Sequence, residues 1–266
     1  MIGFRSICFF AALLLFACVE YHPYDTRVSG EKGINARNIK RIESMCCNKQ
    51  SLRFAVISDS QRWYDELYDA VRALNCYKDI DFVIHAGDLS DYGLRTEFES
   101  QREILSGLTM PYVCLIGNHD CIATGREVFS KIFGEVDFSF TAGNVRFLCL
   151  NTNALEYEHY ESVPNMGFVE QAVSTFPVEA QKSVVVMHAQ PLSDQMYSEQ
   201  VSLLLHQQIK RLPGLQFCVH GHGHRYKEEE IFDDGVIYYQ CENIGGRSFL
   251  IFTLDSDGYK CEKVLF

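Results

Sequence analysis

Five apolar runs of strand length each end abruptly in a short polar cluster. LRFAVIS leads into Asp59-Ser60-Gln61, and IDFVIHA into Gly87-Asp88-Leu89-Ser90-Asp91. PYVCLI leads into Gly117-Asn118-His119-Asp120, KSVVVM into His188, and GLQFCV into His220-Gly221-His222-Gly223-His224. Helical patterns separate the first three runs: WYDELYDAVRALNCY and RTEFESQREILSGL carry apolar residues at three-to-four spacing. Strand–helix alternation of this kind builds an α/β fold. In such folds sites gather beyond the carboxyl ends of strands, so clusters far apart in the chain can converge on one edge.

The rest of the chain refines the class. A short helix is predicted over Gly125 to Phe133, and DFSFTAGNVRFLCLNT reads as a hairpin turning at Gly143 and Asn144. Another helix is predicted around Glu199 to Arg211. Short strands follow near Glu228–Phe232, Gly235–Gln240, Arg247–Leu254 and Tyr259–Phe266, with turns at Asp233–Gly235 and Asp255–Gly258. Helix-linked strands first and hairpins later point to a layered α/β domain with two packed sheets, not one doubly wound sheet. With 47% hydrophobic residues in 266, the chain can bury a sizeable core. Glu20 to Gln50 is polar and aperiodic, which suits a tether or a segment draped on a domain spanning 51–266.

The N-terminus reads MIGFRSICFFAALLLFACVE. Arg5 is followed by an apolar stretch from Ile7 to Ala17, far short of the roughly 20 residues that span a bilayer. Residues 1–17 therefore read as an export signal. LLFAC resembles a bacterial lipoprotein signal, with Cys18 as the residue to be lipidated, although Phe16 is larger than that pattern usually takes. A plain cleaved signal is the alternative. The expectation is a membrane-anchored lipoprotein facing the periplasm or the cell surface, with residues 18–50 as tether.

Composition narrows the chemistry. A net charge of −11 disfavours a stable nucleic-acid partner, because such binding rests on clustered Lys and Arg. A small phosphate substrate stays compatible, since bound cations reverse the local field. Among eleven cysteines, Cys114, Cys149 and Cys218 sit in apolar runs as small buried hydrophobes, and none shows the CxxC spacing of a thiolate metal site. The oxygen and imidazole donors of the five clusters suit Mn, Fe, Zn or Mg. Singly, each cluster is ordinary; an aspartate between strand and helix is usually a cap or turn residue. Five in order, each directly after an apolar run, point to one site.

Taken together the five clusters resemble the signature blocks of the calcineurin-like metallophosphoesterases. That resemblance implies a four-layer α/β/β/α sandwich of the metallophosphoesterase type with a two-metal site between the sheet edges. One metal would be held by Asp59, Gln61 and His224, with Asp88 bridging; the other by Asp88, Asn118, His188 and His222. The resemblance assigns His119 to the phosphate oxygens or the leaving group, oriented by Asp91; an Asp91 hydrogen bond to the second ring nitrogen would favour the imidazolium. Asp120 would support its loop, and His85 and His220 would be neighbouring or core residues. Gln61 departs from the pattern, which usually has histidine there; it could ligate, hold a metal-bound water, or stand back. The implied activity is hydrolysis of a phosphodiester or phosphomonoester by a hydroxide held between two divalent or trivalent metal ions. The alternative is a surface-tethered ligand-binding protein on an inactive scaffold of this kind. Trp63, Tyr64, Tyr92, Tyr157, Tyr160 and Tyr197 are candidate rim aromatics, Asn151–Met166 a candidate substrate-facing loop, and Arg62 and Arg126 candidate phosphate contacts.

Overall fold

The structure is a computed structural model that describes residues 22–157, 162–196 and 198–266. The expected signal, Cys18, Tyr160 and Tyr197 lie outside the described residues. Strand β1 (Leu52–Ile57) pairs in parallel with β2 (Phe82–His85), and β2 in parallel with β3 (Tyr112–Cys114). The chain's last two strands, β10 (Ser248–Asp255) and β11 (Gly258–Leu265), join antiparallel on the far side of β1, completing a five-stranded sheet. The hairpin of β4 (Phe138–Ala142) and β5 (Val145–Leu150) opens a second, six-stranded sheet. It continues through β6 (Lys182–Met187), β7 (Leu215–His220) and β9 (Tyr238–Gln240), and ends at β8 (Lys227–Glu229).

Each central strand is apolar at consecutive positions because both its faces are covered. Along β1, Phe54 and Val56 enter the core between the sheets, packed with Phe82, Phe147, Val184, Phe217 and Phe252. Ala55 and Ile57 point the other way, under the outer helices, as a period of two requires. Those helices are α2 (Tyr64–Asn75), α3 (Arg95–Leu105) and α4 (Gly125–Ile132), which contribute Leu67, Phe98 and Phe129 to the same cluster. On the opposite face, α5 (Met166–Ser174) and α6 (Glu199–Ile209) place Val169, Leu205 and Ile209 over Leu148, Val185 and Cys218. The layers are α/β/β/α, as the resemblance implies. Phe147 of the second sheet meets Phe54 at 5.1 Å and Phe82 at 5.3 Å, both edge-on, which ties the two sheets through an aromatic centre. No helix among the described residues is long and apolar enough to cross a membrane.

Two segments depart from expectation: α5 forms where no helix is predicted, and the chain before β1 is not aperiodic. The sequence predicts an aperiodic tether or a segment draped on the domain; residues Ile34–Cys46 lie against the edge strands β3 and β4, as a draped segment would, but as a regular helix, α1. Its buried stripe includes Asn35, Asn38, Ile42 and Cys46, spaced as one helical face. Asn35 Nδ2 donates to the Cys114 carbonyl at 2.8 Å, and its Oδ1 accepts the Cys114 N–H at 2.9 Å. Asn38 Nδ2 donates to the Tyr112 carbonyl at 2.7 Å. These amides serve the edge of β3 in place of a neighbouring strand. Two of the five buried residues of α1 are asparagines, so its buried face is hidden from a reading by hydrophobicity.

Candidate active site

Every polar cluster lies just past the carboxyl end of a strand: Asp59 after β1, Asp88 after β2, Asn118 after β3, His188 after β6 and His222 after β7. The first three strands belong to one sheet and the last two to the other, so the site straddles the ends of both. Asp59, Asp88 and His224 offer ligand atoms all within 4.8 Å of one another. His188 Nε2 lies 3.4 Å from Asp88 Oδ1 and 3.1 Å from Asn118 Oδ1. His222 Nδ1 approaches the same Asn118 oxygen at 3.1 Å. Asp88 thus stands between an Asp59–His224 side and an Asn118–His188–His222 side, the position a bridging carboxylate would take.

The backbone is strained where these residues sit. Asp59, Gln61, Asp88, His222 and His224 have φ of 52°, 32°, 58°, 68° and 57°. Left-handed backbone at non-glycine residues costs on the order of 1 kcal/mol or more each and persists only where the surroundings impose it. Asp120 supplies much of that constraint for Asp88. Fully buried, it accepts from Leu89 N at 3.1 Å, Ser90 N and Ser90 Oγ at 2.8 Å, and Gly117 N at 2.9 Å. One carboxylate therefore pins the Asp88 loop to the Asn118 loop. Gly117 is required at that junction, since a Cβ there would fall 2.1 Å from Asp88 Oδ1. The Asp59–Gln61 turn is held from α3: Gln101 Nε2 donates to the Gln61 carbonyl at 2.6 Å, and Ser60 Oγ donates to Gln101 Oε1 at 2.9 Å. Ser60 Oγ then accepts from His85 Nε2 at 2.8 Å, so His85 supports the turn and is not a ligand.

Electrostatics show what the cluster calls for. Asp59 and Asp88 are both fully buried, and Asp59 Oδ1 has no hydrogen-bond donor, with His224 Nε2 at 3.3 Å as its near partner. Burial pushes the His188 imidazole down, but the Asp88 and Asp59 carboxylates outweigh it and raise it to about 10. Burial likewise opposes ionisation of Asp59, yet His224 and His188 hold its carboxyl below the usual range. The pocket thus stabilises positive charge between buried carboxylates, and a cation satisfies that demand with oxygen and imidazole donors. The residues present fit divalent metal ions.

One expectation needs revision. Asp91 was to face His119 with its carboxylate, but the His119 Nδ1 partner is the Asp91 main-chain carbonyl, at 2.9 Å. The Asp91 carboxylate is taken instead by Arg62 Nη2, at 2.7 Å. A carbonyl only accepts, so Nδ1 carries a proton; the ring is oriented without the negative charge a carboxylate would bring. Gln61 reaches the site, but its Nε2 donates to Asp88 Oδ2 at 3.2 Å. Ligation through Oε1 requires a half-turn of that amide. Among the rim aromatics, Trp63 packs into the helix-side core over Gly245, whereas Tyr92 is 61% exposed. The sequence reading missed Gln101 and Asp194. Asp194 Oδ1 lies 2.5 Å from His222 Nε2. No local pattern marks either residue; both become visible only when distant loops meet.

Comparison with known proteins agrees with this geometry: residues 52–226 match the calcineurin-like phosphoesterases. The chain belongs to that family. A 3′,5′-cyclic-nucleotide phosphodiesterase from Nostoc sp. (strain PCC 7120) is 26% identical over 153 residues, 55% of this chain and 57% of that protein. A Rhodopseudomonas palustris protein named as a probable cyclic nucleotide phosphodiesterase is 30% identical over 151 residues, 48% of this chain and 54% of its own length. The match thus spans little more than half of each of these relatives. Among solved structures, a dimetal phosphatase from Danio rerio superposes with a TM-score of 0.64 at 12% identity, covering 81% of this chain and 99% of that one. A purple acid phosphatase from yellow lupin gives 0.59 at 14%, covering 81% and 52%. At such identities the superpositions speak for the shared calcineurin-like fold alone.

Proposed function

We propose that the protein hydrolyses a small phosphate ester, with two metal ions held by Asp59, Gln61, Asp88 and His224 on one side and Asp88, Asn118, His188 and His222 on the other. The observation that carries this is the convergence of five separate strand ends on one strained, partly buried set of oxygen and imidazole donors. When bound, such a pair of cations makes hydroxide available near neutral pH and neutralises charge on the phosphoryl oxygens. Asp88 has two carboxylate oxygens, enough to serve both sides at once. His119 is held by the Asp91 carbonyl with Nδ1 protonated, which leaves Nε2 to exchange a proton with the leaving group. Arg62, fixed by Asp91 beside it, offers remaining guanidinium donors to an incoming phosphate.

Both curated relatives carry cyclic-nucleotide phosphodiesterase names, so a phosphodiester of that kind is the first substrate to assay. The test is elemental analysis of the purified protein, with turnover of 3′,5′-cyclic AMP, bis-p-nitrophenyl phosphate and p-nitrophenyl phosphate in Mn. We expect bound metal, turnover of at least one ester, and none by Asp88→Asn. Absence of metal together with absence of turnover overturns the assignment and favours a binding role on the same scaffold.

Export to a membrane surface is part of this reading and rests on residues 1–18 alone: Arg5, the apolar stretch to Ala17, and Cys18. Mass spectrometry of detergent-extracted protein should find a lipid on Cys18; an unmodified, uncleaved N-terminus refutes both forms of export signal.

A further inference from the structure

His188 and His222 both turn a ring nitrogen toward Asn118 Oδ1, but not the same one. His188 presents Nε2, and His222 presents Nδ1. For His188 the choice is made by the backbone: its Nδ1 lies 2.8 Å from the Ala86 carbonyl, which only accepts, so that nitrogen carries the proton. For His222 the outer nitrogen faces a side chain instead. Asp194 Oδ1 sits 2.5 Å from Nε2.

Asp194 comes from the loop between β6 and α6, and that loop is clamped on both sides of it. The hydroxyl of Ser202, buried in α6, accepts from Leu192 N at 2.9 Å and donates to the Met196 carbonyl at 3.0 Å. The carboxylate is therefore delivered from an anchored turn. His222, for its part, has a backbone at φ 68° and donates its N–H to Asp59 Oδ2 at 3.1 Å. Ring and carboxylate are each fixed from their own side.

Resting on the phosphoesterase reading above, the geometry assigns Asp194 as a positioning residue for the metal on the Asn118 side. It holds His222 as the Nε2–H tautomer and so directs the Nδ1 lone pair at the cation. Outer partners of this type orient metal-ligating histidines and raise their basicity, and their loss typically weakens metal binding 10- to 100-fold. The contact has little to do with holding the fold together. The Asp194 side chain is 75% exposed, and ion pairs in that setting contribute little to stability.

The experiment uses the full chain stripped with chelator and titrated with Mn by calorimetry, as wild type, Asp194→Ala and Asp194→Asn. We expect two sites in the wild type and a loss of about 10- to 100-fold at one of them in Asp194→Ala. Asp194→Asn should keep most of the affinity, because its amide oxygen still accepts from Nε2. Melting of the metal-free proteins should coincide, which separates positioning from folding. Two sites of unchanged affinity in Asp194→Ala, or a loss that Asp194→Asn does not rescue, overturn this assignment alone. A wild type that binds no ion overturns the phosphoesterase reading and this inference with it.

Discussion

Replacing Asp120 by asparagine changes one atom and should loosen the whole site. All four partners of its carboxylate are donors: Ser90 N and Oγ to Oδ1, and Leu89 N and Gly117 N to Oδ2. An amide keeps one acceptor and turns the other into a donor. With NH2 on the Oδ2 side, two buried backbone N–H groups lose their partner. With NH2 on the Oδ1 side, one backbone N–H is stranded while the Ser90 hydroxyl can turn to accept. The second arrangement is less costly. A stranded buried donor costs about 1–3 kcal/mol, and the surviving bonds lose their charge assistance, about 1 kcal/mol apiece. Most of this is offset, because burial and the Asp88 charge press the Asp120 carboxyl up to about 7 and the substitution removes that repulsion. That rise costs the folded carboxylate roughly 4 kcal/mol at pH 8, which offsets most of the roughly 3–5 kcal/mol lost, so the melting temperature should move by no more than about 4 °C while the tie between the loops is lost. The measurement is thermal unfolding of the metal-free protein at pH 8, where the carboxylate dominates, followed by Mn titration. Affinity should fall although no ligand has been altered, since the loops carrying Asp88 and Asn118 are no longer tied together. An Mn affinity equal to that of the wild type refutes the reasoning.

Asn35→Ala should destabilise the chain by about 2–4 kcal/mol, because the Cys114 N–H and carbonyl both lose their partner at a buried edge. Denaturant unfolding checks this, and no shift in midpoint would return α1 to the status of a loosely draped segment. Gln61→Ala should weaken metal binding on the Asp59–His224 side, while Gln61→His keeps or strengthens it toward Zn, imidazole being the stronger donor. Equal affinity in all three proteins removes Gln61 from the site. His85 and His220 are buried, and burial lowers each from 6.5 to about 4, so the folded state holds them neutral. Their contribution is intact above pH 6.5 and is lost as pH falls toward 4, at about 3 kcal/mol for each group. Stability of the metal-free protein that stays flat across that window contradicts this linkage.

The central strands, helices α2, α3, α4 and α6, the two-sheet layering and the site's residue types were legible in the sequence; α1 and α5 were not. The reason is physical: strands covered on both faces must be apolar at consecutive positions, and chemistry-bearing residues then stand out where those runs stop. Asp59, Asp88, Asn118, His188, His222 and His224 stood among the residues marked on that ground; their choice as ligands is what the family resemblance implies. What sequence could not decide were contacts between side chains from distant loops. Asp91 lay beside His119 as expected, yet only packing shows that its carbonyl takes the ring and its carboxylate takes Arg62. Asn35 and Asn38 look like linker residues until an unpaired strand edge is placed beside them. Asp194 is an ordinary loop aspartate until the His222 ring arrives 2.5 Å away. Local periodicity reports which face of an element is buried; it carries no record of which polar atoms meet once the faces close. Those pairings belong to the tertiary structure, because each is made by groups whose only relation is their distance after folding.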